Sequence, residues 1–214
     1  MTSPGPDPLD AARLADTVEP WPVTGSERRL RTSILAVRTD QVIMPGGEVT
    51  ARDVVEHAGA VGIVVLDDQQ RILLIRQYRH AVGRLLWELP AGLRDVPGEP
   101  VHVTAERELL EETGHRASDW RMLLDYFASP GFTNERIRVF LARGVTEVPH
   151  AERDFVPVHE EAYLRLAWVP LTEAVRRVLS GDLHNGLVVV GILSAYAASQ
   201  DGFAGLRPAD APDG

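Results

Sequence analysis

Residues 107–114 read RELLEETG and place one arginine and three glutamates around a single apolar pair. On a helix Glu108, Glu111 and Glu112 project toward one side, because Glu108 precedes the other two by three and four residues. Like charges at that spacing destabilise a helix by about 0.2–0.5 kcal/mol per pair. The alternative is the solvated face of an amphipathic helix. A hard divalent cation would turn the repulsion into coordination, so the stretch predicts a metal site.

The composition is that of an ordinary soluble globular protein, with 44% hydrophobic and 25% charged residues in a chain of 214. This length predicts one domain with additions. There is no cysteine, which excludes disulfides, Cys-ligated zinc and thiol nucleophiles. The N-terminus lacks the basic and apolar regions of a secretory signal, so we expect a cytoplasmic protein.

The charge pattern restricts the partners. A net charge of −9 argues against nucleic-acid binding through a broad basic face. The most apolar run, residues 187–198, is too short to span a bilayer, so we expect no membrane partner. All 22 basic residues are arginine, so a cationic side chain that contacts a phosphate must be an arginine here.

The chain divides into four predicted parts. Residues 1–20 are rich in Pro, Asp and Ala and predict a disordered tail, and residues 205–214 predict a flexible tail for the same reason. Between them we expect an N-terminal β-sheet region at 21–57 and a larger domain at 58–204 that contains RELLEETG. Strands and helices that mix without regular βαβ alternation indicate an α+β fold with a mixed-sheet sandwich.

Local patterns assign the individual elements of this fold. A turn is expected at residues 67–70, Gly114 is expected to cap the helix that carries the glutamates, and Asn185 to cap the last helix. The predicted strands are 31–37, 41–44, 49–55, 59–66, 71–76, 121–127, 136–142 and 163–169, and the predicted helices are 101–113, 171–179 and 187–198.

The surroundings of RELLEETG match a known signature: a glycine, five residues, a glutamate, seven residues and then REUxEExGU, where U is apolar. Gly92 opens it, Glu99 is the isolated glutamate, and residues 107–114 complete it. The pattern resembles the Nudix hydrolases, which cleave a nucleoside diphosphate linked to another group. Six residues, one more than usual, separate Gly92 from Glu99, and His115 replaces the final apolar residue. Neither departure touches the helix glutamates, so we expect metal binding to be retained.

Flanking stretches narrow the resemblance to ADP-ribose pyrophosphatases of the actinobacterial type. The subfamily is indicated by RQYRHAVGRLLWELPAG at residues 76–92 and by SPGF at 129–132, in which Pro130 follows Gly114 by sixteen residues. The actinobacterial type is indicated by MPGG at 44–47 and VVEH at 54–57. The resemblance implies a Nudix α/β/α sandwich with a mixed central sheet, plus a small N-terminal antiparallel β-sheet that forms a homodimer. It implies hydrolysis of ADP-ribose to AMP and ribose 5-phosphate by metal-activated water. The implied cofactor is magnesium, as two or three ions, with manganese as the alternative.

The resemblance also assigns roles within the box. Glu99 and Arg107 are expected to tie the loop to the helix, with an exposed ion pair worth about 0–1 kcal/mol as the alternative. Gly92, Gly114 and Pro130 are structural positions of the motif. The implied metal ligands are the carboxylates of Glu108 and Glu112 first, Glu111 directly or through water, and the carbonyl of Ala91.

Outside the box, a glutamate near a later strand is expected to be the general base. Glu160 takes that place, and a slip of one residue would select Glu161; a solvated loop pair is the alternative. Arg79 matches a phosphate-contacting arginine and Arg76 is a weaker second, although an arginine on a strand can also lie on a solvated face. Further pocket candidates are Glu88 and Glu135, together with Trp87 and Phe132 as aromatic rings that stack on adenine or pack in the core.

Other activities compete with this one. An NADH pyrophosphatase is expected to carry a Cys-ligated zinc module, which a chain without cysteine lacks. The extra motif of a coenzyme A pyrophosphatase is not found. Nucleotide sugars such as GDP-mannose share the pyrophosphate–sugar unit of ADP-ribose and remain alternative substrates. A non-catalytic nucleotide sensor usually loses box glutamates, whereas this chain keeps all of them.

Overall fold

The computed structural model describes residues 14–152 and 164–212. Within these residues, eleven strands form three sheets and three α-helices pack around two of them. The strands are β1 (Val23–Arg31), β2 (Leu35–Ile43), β3 (Val49–His57), β4 (Ala60–Val65), β5 (Arg71–Arg79), β6 (Arg84–Glu88), β7 (Ala91–Leu93), β8 (His115–Phe127), β9 (Arg136–Glu147), β10 (Arg165–Pro170) and β11 (Arg207–Pro208). The helices are α1 (Val101–Thr113), α2 (Leu171–Leu179) and α3 (Gly186–Ser199).

The predicted domain at 58–204, named the catalytic domain from here on, is a layered sandwich. Its larger sheet has the order β11-β8-β9-β4-β7, and its smaller sheet has the order β10-β5-β6. Strand β4 runs parallel to β9, whereas its pairing with β7 is antiparallel, so the larger sheet is mixed. One apolar cluster packs α1 against one face of these sheets, and a second packs α2 and α3 against the other. The predicted α+β sandwich with a mixed central sheet is confirmed.

Helix α1 has the bounds that the sequence predicted. Ala105 and Leu109 are fully buried and lie on its inner face, which places the intervening charged residues toward the other side. Gly114 ends the helix in a left-handed conformation with φ of 68°, and its N–H donates to the carbonyl of Leu110. A residue with a β-carbon would be strained at this angle, so the glycine fixes where the helix stops.

The predicted turn and the last helix cap are also formed. One carboxylate oxygen of Asp67 accepts the backbone N–H groups of Gln69 and Arg71, at 2.9 and 2.8 Å, which forms the turn between β4 and β5. Asn185 accepts the N–H of Val188 at 3.1 Å and begins α3. Polar side chains that satisfy free backbone donors therefore fix both positions.

The N-terminal sheet has the order β1-β2-β3 and is antiparallel throughout. Here the predicted strand at 31–37 is interrupted, because the chain turns at residues 32–34, and residues 35–37 continue through 41–43 as the single strand β2. The hydroxyl of Thr32 accepts the N–H groups of Ile34 and Leu35 at 3.2 and 3.0 Å, and this local bonding competes with strand pairing. The sequence analysis also missed β6, β7 and all but the last residue of β1.

The two ends of the chain are described in part. Residues 14–20 have no regular structure, and the rest of the predicted N-terminal tail lies outside the described residues. At the other end, residues 207–208 pair with Met122 and Arg121 of β8, so a strand lies within the segment that was predicted to be a flexible tail. No helix in the described part of the chain has the length and apolar character needed to cross a membrane.

Candidate active site

Strand β7 and helix α1 bring the two halves of the signature together. Gly92 lies on β7 directly beneath Glu108, and a β-carbon built on this glycine would come within 1.9 Å of the carboxyl carbon of Glu108. Side chains cannot approach so closely, so only glycine leaves room for the glutamate. The spacing between the opening glycine and the helix is therefore a packing requirement of the site.

Arg107 is the centre of a charged network on α1. Its guanidinium contacts Glu99 at 3.2 Å, Glu108 at 2.7 Å and Glu111 at 3.2 Å. Glu99 also accepts the hydroxyl of Thr104 at 2.8 Å. These contacts lower the pKa of Glu99 below its ordinary value, with the hydrogen bond from Arg107 as the largest cause. The loop with one extra residue thus still delivers Glu99 to the helix, as the predicted tie requires.

Glu108 is the carboxyl group most affected by its surroundings. Burial raises its pKa from 4.5 to about 7, against the opposing effect of Arg107, and the nearby carboxylates of Glu111 and Asp95 raise it further. Because the folded-state pKa lies above that of the unfolded chain, this group favours folding less as pH rises from 4.5 through about 7. A cation beside Glu108 would offset this cost by favouring the charged form.

Glu112 points back to the strand that precedes the helix. Its carboxylate accepts the backbone N–H of Ala91 at 2.8 Å. The residue that was predicted to supply a carbonyl ligand is therefore in contact with one of the predicted carboxylate ligands. Glu108 and Glu112 both rest on β7, on the neighbouring residues Gly92 and Ala91.

The donor chemistry of this helix face fits a hard divalent cation. Three carboxylates within one helical turn of each other, one of them raised in pKa by burial, are the oxygen ligands that magnesium and manganese prefer. Within residues 14–152 and 164–212, however, no three acidic or histidine side chains converge on one point. Glu108 and Glu111 instead both contact Arg107, so coordination by all three would require them to turn away from it.

Arg79 and Glu88 form a bidentate ion pair across the β5–β6 hairpin. The Arg79 Nε and Nη2 atoms donate to the two carboxylate oxygens of Glu88, at 2.8 and 2.5 Å. The Glu88 side chain is buried, whereas Arg79 is about half exposed, at 48%. The pair therefore anchors one edge of the Arg79 guanidinium on a buried carboxylate. Both residues are among those that the sequence predicted to contact substrate.

Arg76 and Trp87 are also paired. The Arg76 guanidinium carbon lies 5.7 Å from the centre of the Trp87 ring, a cation–π contact between facing residues of β5 and β6. Among the described residues, Arg76 Nε and Gln77 Oε1 are buried without a hydrogen-bond partner. Trp87 also packs against the apolar cluster under α2 and α3, so its ring is partly a core residue.

The loop that carries Pro130 and Phe132 contacts the N-terminal sheet. The carbonyl of Phe132 accepts the N–H of Val55 at 2.8 Å, and its ring is exposed. Glu135 lies 3.6 Å from the His57 imidazole at the end of β3. The structure therefore places these three predicted residues at the junction of the sheet and the catalytic domain, apart from the contacts made by the helix glutamates.

The predicted base lies outside the described residues, since both Glu160 and Glu161 fall in the segment between residues 152 and 164. Sequence reasoning missed Thr104, which holds Glu99, and Asp95, which affects Glu108. A threonine inside a helix and an aspartate inside a loop carry no pattern that distinguishes them. Only the fold brings them to the box.

Comparison with known proteins identifies the class to which this site belongs. Residues 56–185 match the family model of the NUDIX domain, which covers more than half of the chain. The chain therefore belongs to the Nudix family and is a Nudix hydrolase. Nudix hydrolases generally use divalent metals.

Individual proteins are similar to this chain over most of its length. It is 50% identical over 188 residues to the ADP-ribose pyrophosphatase of Mycobacterium tuberculosis (strain ATCC 25618 / H37Rv), covering 87% of this chain and 88% of that protein. It is 30% identical to the ADP-ribose pyrophosphatase of Bacillus subtilis (strain 168), over 74% of this chain and 83% of that one. A crystal structure of an ADP compounds hydrolase has a similar fold, with a TM-score of 0.70, 21% identity and coverage of 88% and 99% of the two chains.

Proposed function

We propose that this protein hydrolyses ADP-ribose to AMP and ribose 5-phosphate. The observation that carries the proposal is the assembly of the box glycine, arginine and glutamates by β7, α1 and the loop between them, in a chain that is 50% identical to an ADP-ribose pyrophosphatase over most of both proteins. A nucleoside diphosphate sugar is thus the substrate class, and ADP-ribose is its proposed member.

Glu108, Glu112 and Glu111 are the side chains that would hold magnesium, or manganese, together with the carbonyl of Ala91. Two or three such ions would neutralise the pyrophosphate and lower the pKa of the attacking water. Arg107 balances the carboxylates of the helix and keeps Glu99 on it. The contact of Arg107 with Glu99 would persist when a cation binds, whereas its contacts with Glu108 and Glu111 would be replaced by the cation.

Arg79 is the proposed phosphate contact. Its pairing with Glu88 fixes two of its donors and orients the plane of the guanidinium. A planar, fixed guanidinium suits a phosphate better than a mobile side chain does. Arg76, Phe132 and Glu135 are proposed to line the remainder of the pocket, and Glu160, or Glu161 beside it, is proposed to accept the proton of the attacking water.

The leading alternative substrate is GDP-mannose. The chain is 28% identical to the GDP-mannose pyrophosphatase of Citrobacter koseri, over 69% of this chain and 78% of that protein. The higher identity and coverage of the ADP-ribose relatives favour ADP-ribose. A nucleotide sensor without activity is disfavoured because Glu108, Glu111, Glu112 and Arg107 are all present.

An assay of nucleotide release tests the proposed substrate. The enzyme with magnesium should release AMP from ADP-ribose with a higher kcat/KM than it releases GMP from GDP-mannose, because the box is shared but the pocket outside it selects the nucleotide. Omitting the divalent metal should abolish both reactions. A preference for GDP-mannose, or no turnover of either compound with magnesium or manganese, would contradict the proposal.

Assembly as a homodimer is proposed from the exposed N-terminal sheet. Strand β1 is exposed along its whole length, and Val23 and Leu30 on it are about half exposed, at 53% and 52%. A three-stranded sheet is marginal unless something covers its apolar side chains. We propose that a second copy of the chain covers the apolar side chains of this sheet. The cytoplasmic location is a separate point and stays a prediction.

Sedimentation tests the dimer. The protein should sediment at twice its mass of 23.5 kDa at micromolar concentration. An obligate two-fold interface of this kind should bury more than about 2,000 Å². Deleting residues 1–55 should abolish both the dimer and the activity, although the box glutamates lie elsewhere. A fully active particle of monomer mass would overturn the proposal.

A further inference from the structure

A row of paired residues crosses the larger sheet beneath the start of α1. Asp125 on β8 pairs with Arg138 on β9, Arg138 pairs with Val61 on β4, and Val61 pairs with Gly92 on β7. Directly paired residues point to the same face of a sheet, so all four face α1. Gly92 at one end of the row supports Glu108, and Arg138 lies two strands away from it.

Arg138 is a buried arginine whose donors are used in two directions. Only 3% of its side chain is exposed. Toward β8, its Nε and Nη2 atoms donate to the two carboxylate oxygens of Asp125, at 2.8 and 2.9 Å. Toward the C-terminus, its Nη1 and Nη2 atoms donate to the carbonyls of Ala211 and Pro212, at 2.7 and 3.1 Å. The guanidinium thus joins the sheet to the end of the chain.

Asp125 keeps this arrangement charged. Burial alone would raise its pKa, but hydrogen bonds from Arg138 and Arg136 outweigh that effect and hold the pKa of Asp125 below its ordinary range. A buried arginine without a fully charged partner would be costly, so Asp125 and Arg138 stabilise each other. The second arginine means that Asp125 retains a partner when Arg138 is replaced.

The segment held by Arg138, residues 207–212, is the C-terminal strap. It begins with the short strand β11, which pairs with β8. Ala209 then packs against the apolar cluster that contains Ala105 and Leu109 of α1. Beyond it, the strap lines one cavity with Arg138, the N-cap residue Pro100 and the first two residues of α1, at 101–102. The strap therefore lies beside the N-terminal end of the helix that carries the glutamates.

The first turn of α1 depends on such outside contacts. Pro100 occupies the N-cap position, where its side chain cannot accept a hydrogen bond, and the first turn has no acidic residue. Helices of this length usually gain about 1 kcal/mol from a capping side chain. Glu99 contacts Thr104 and Arg107 of the helix, whereas Ala209 of the strap packs against the same apolar cluster as Val101 of the first turn.

We propose that Arg138 is a positioning residue for the reaction. It holds the C-terminal strap against the start of α1, and the strap in turn keeps the helix glutamates over β7. The inference rests on the proposed function only in its second half, because the effect of Arg138 on the helix can be measured without substrate. The C-terminal strap, whose composition alone predicts a flexible tail, therefore acts in the site.

Hydrogen exchange on the full-length protein tests the first half. In Arg138→Met, which keeps the volume but removes every donor, amides of residues 101–106 should exchange about tenfold faster, while those of α3 stay unchanged, because only a local opening is promoted. Ala209→Asp should give the same local pattern by expelling the strap without touching Arg138. Arg138→Lys should restore part of the protection, and Arg207→Gln, an exposed change on β11, should have no effect.

Kinetics then tests the second half. In both strap-releasing variants kcat for ADP-ribose should fall about tenfold with KM nearly unchanged, since the helix moves but the substrate contacts on β5 do not. Faster exchange that is equal in α1 and α3, or no faster exchange in residues 101–106, would overturn the positioning role. Faster local exchange with an unchanged kcat would overturn the link to catalysis. Absence of ADP-ribose turnover in the wild type would instead count against the proposed function.

Discussion

Replacing Glu112 with glutamine should lower the turnover of ADP-ribose by about a thousandfold, because metal ions contribute several kcal/mol and each 1.36 kcal/mol is tenfold in rate. The fold should persist. Glu112 accepts the N–H of Ala91 at 2.8 Å, and the amide oxygen of glutamine can accept the same hydrogen bond. The substitution therefore removes the negative charge while it leaves the contact between α1 and β7 in place. Steady-state kinetics at saturating magnesium gives the measurement.

Glu106 provides the matched control. It lies on the same helix, but its side chain is exposed and it is absent from the contacts of the box. Glu106→Gln makes the same change of charge and should keep turnover within about twofold, as surface substitutions generally do. Normal activity in Glu112→Gln, or an equal loss in Glu106→Gln, would refute the metal assignment. A lower melting temperature in Glu112→Gln alone would show that the side chain is structural.

The contrast between Glu112 and Glu106 shows how much of the site could be predicted from the sequence. They point about 120° apart around α1, as the helical period of 3.6 residues requires, and Gly114 ends the helix where its sequence predicts. Local rules of this kind predicted α1 and α2 with the observed bounds. The contact of Arg107 with Glu99 was also predicted, because it belongs to a motif that covers a short stretch of chain.

Contacts between distant parts of the chain were not predictable in the same way. Arg138 lies 73 residues before Ala211, and no periodicity relates a buried arginine to a carbonyl in a Pro- and Ala-rich segment. The pairing of Arg79 with Glu88 depends on β6, which the sequence reading missed. Such contacts arise from strand register, which is set by the packing of the whole sheet. The strand prediction at residues 31–37 failed for a different reason, because the Thr32 hydroxyl forms local hydrogen bonds that compete with strand pairing.

Register also matters for the general base. Strand β10 begins at Arg165, which pairs with Arg76 of β5, the strand that also carries Arg79. Glu160 precedes Arg165 by five residues in the sequence. Its neighbour Glu161 precedes Arg165 by four. Position along the chain therefore favours a base from this segment without separating the two glutamates, and the resemblance selects Glu160.

Replacing Glu160 with glutamine should reduce kcat for ADP-ribose by about a hundredfold to ten-thousandfold, the range that a general base contributes. KM and the magnesium concentration needed for half-maximal rate should stay nearly unchanged, because the proposed metal ligands on α1 and Arg79 on β5 are untouched. Glu161→Gln is the matched control and should reduce kcat only slightly. The reverse ranking would move the assignment to Glu161, and mild effects of both changes would place the base outside this segment.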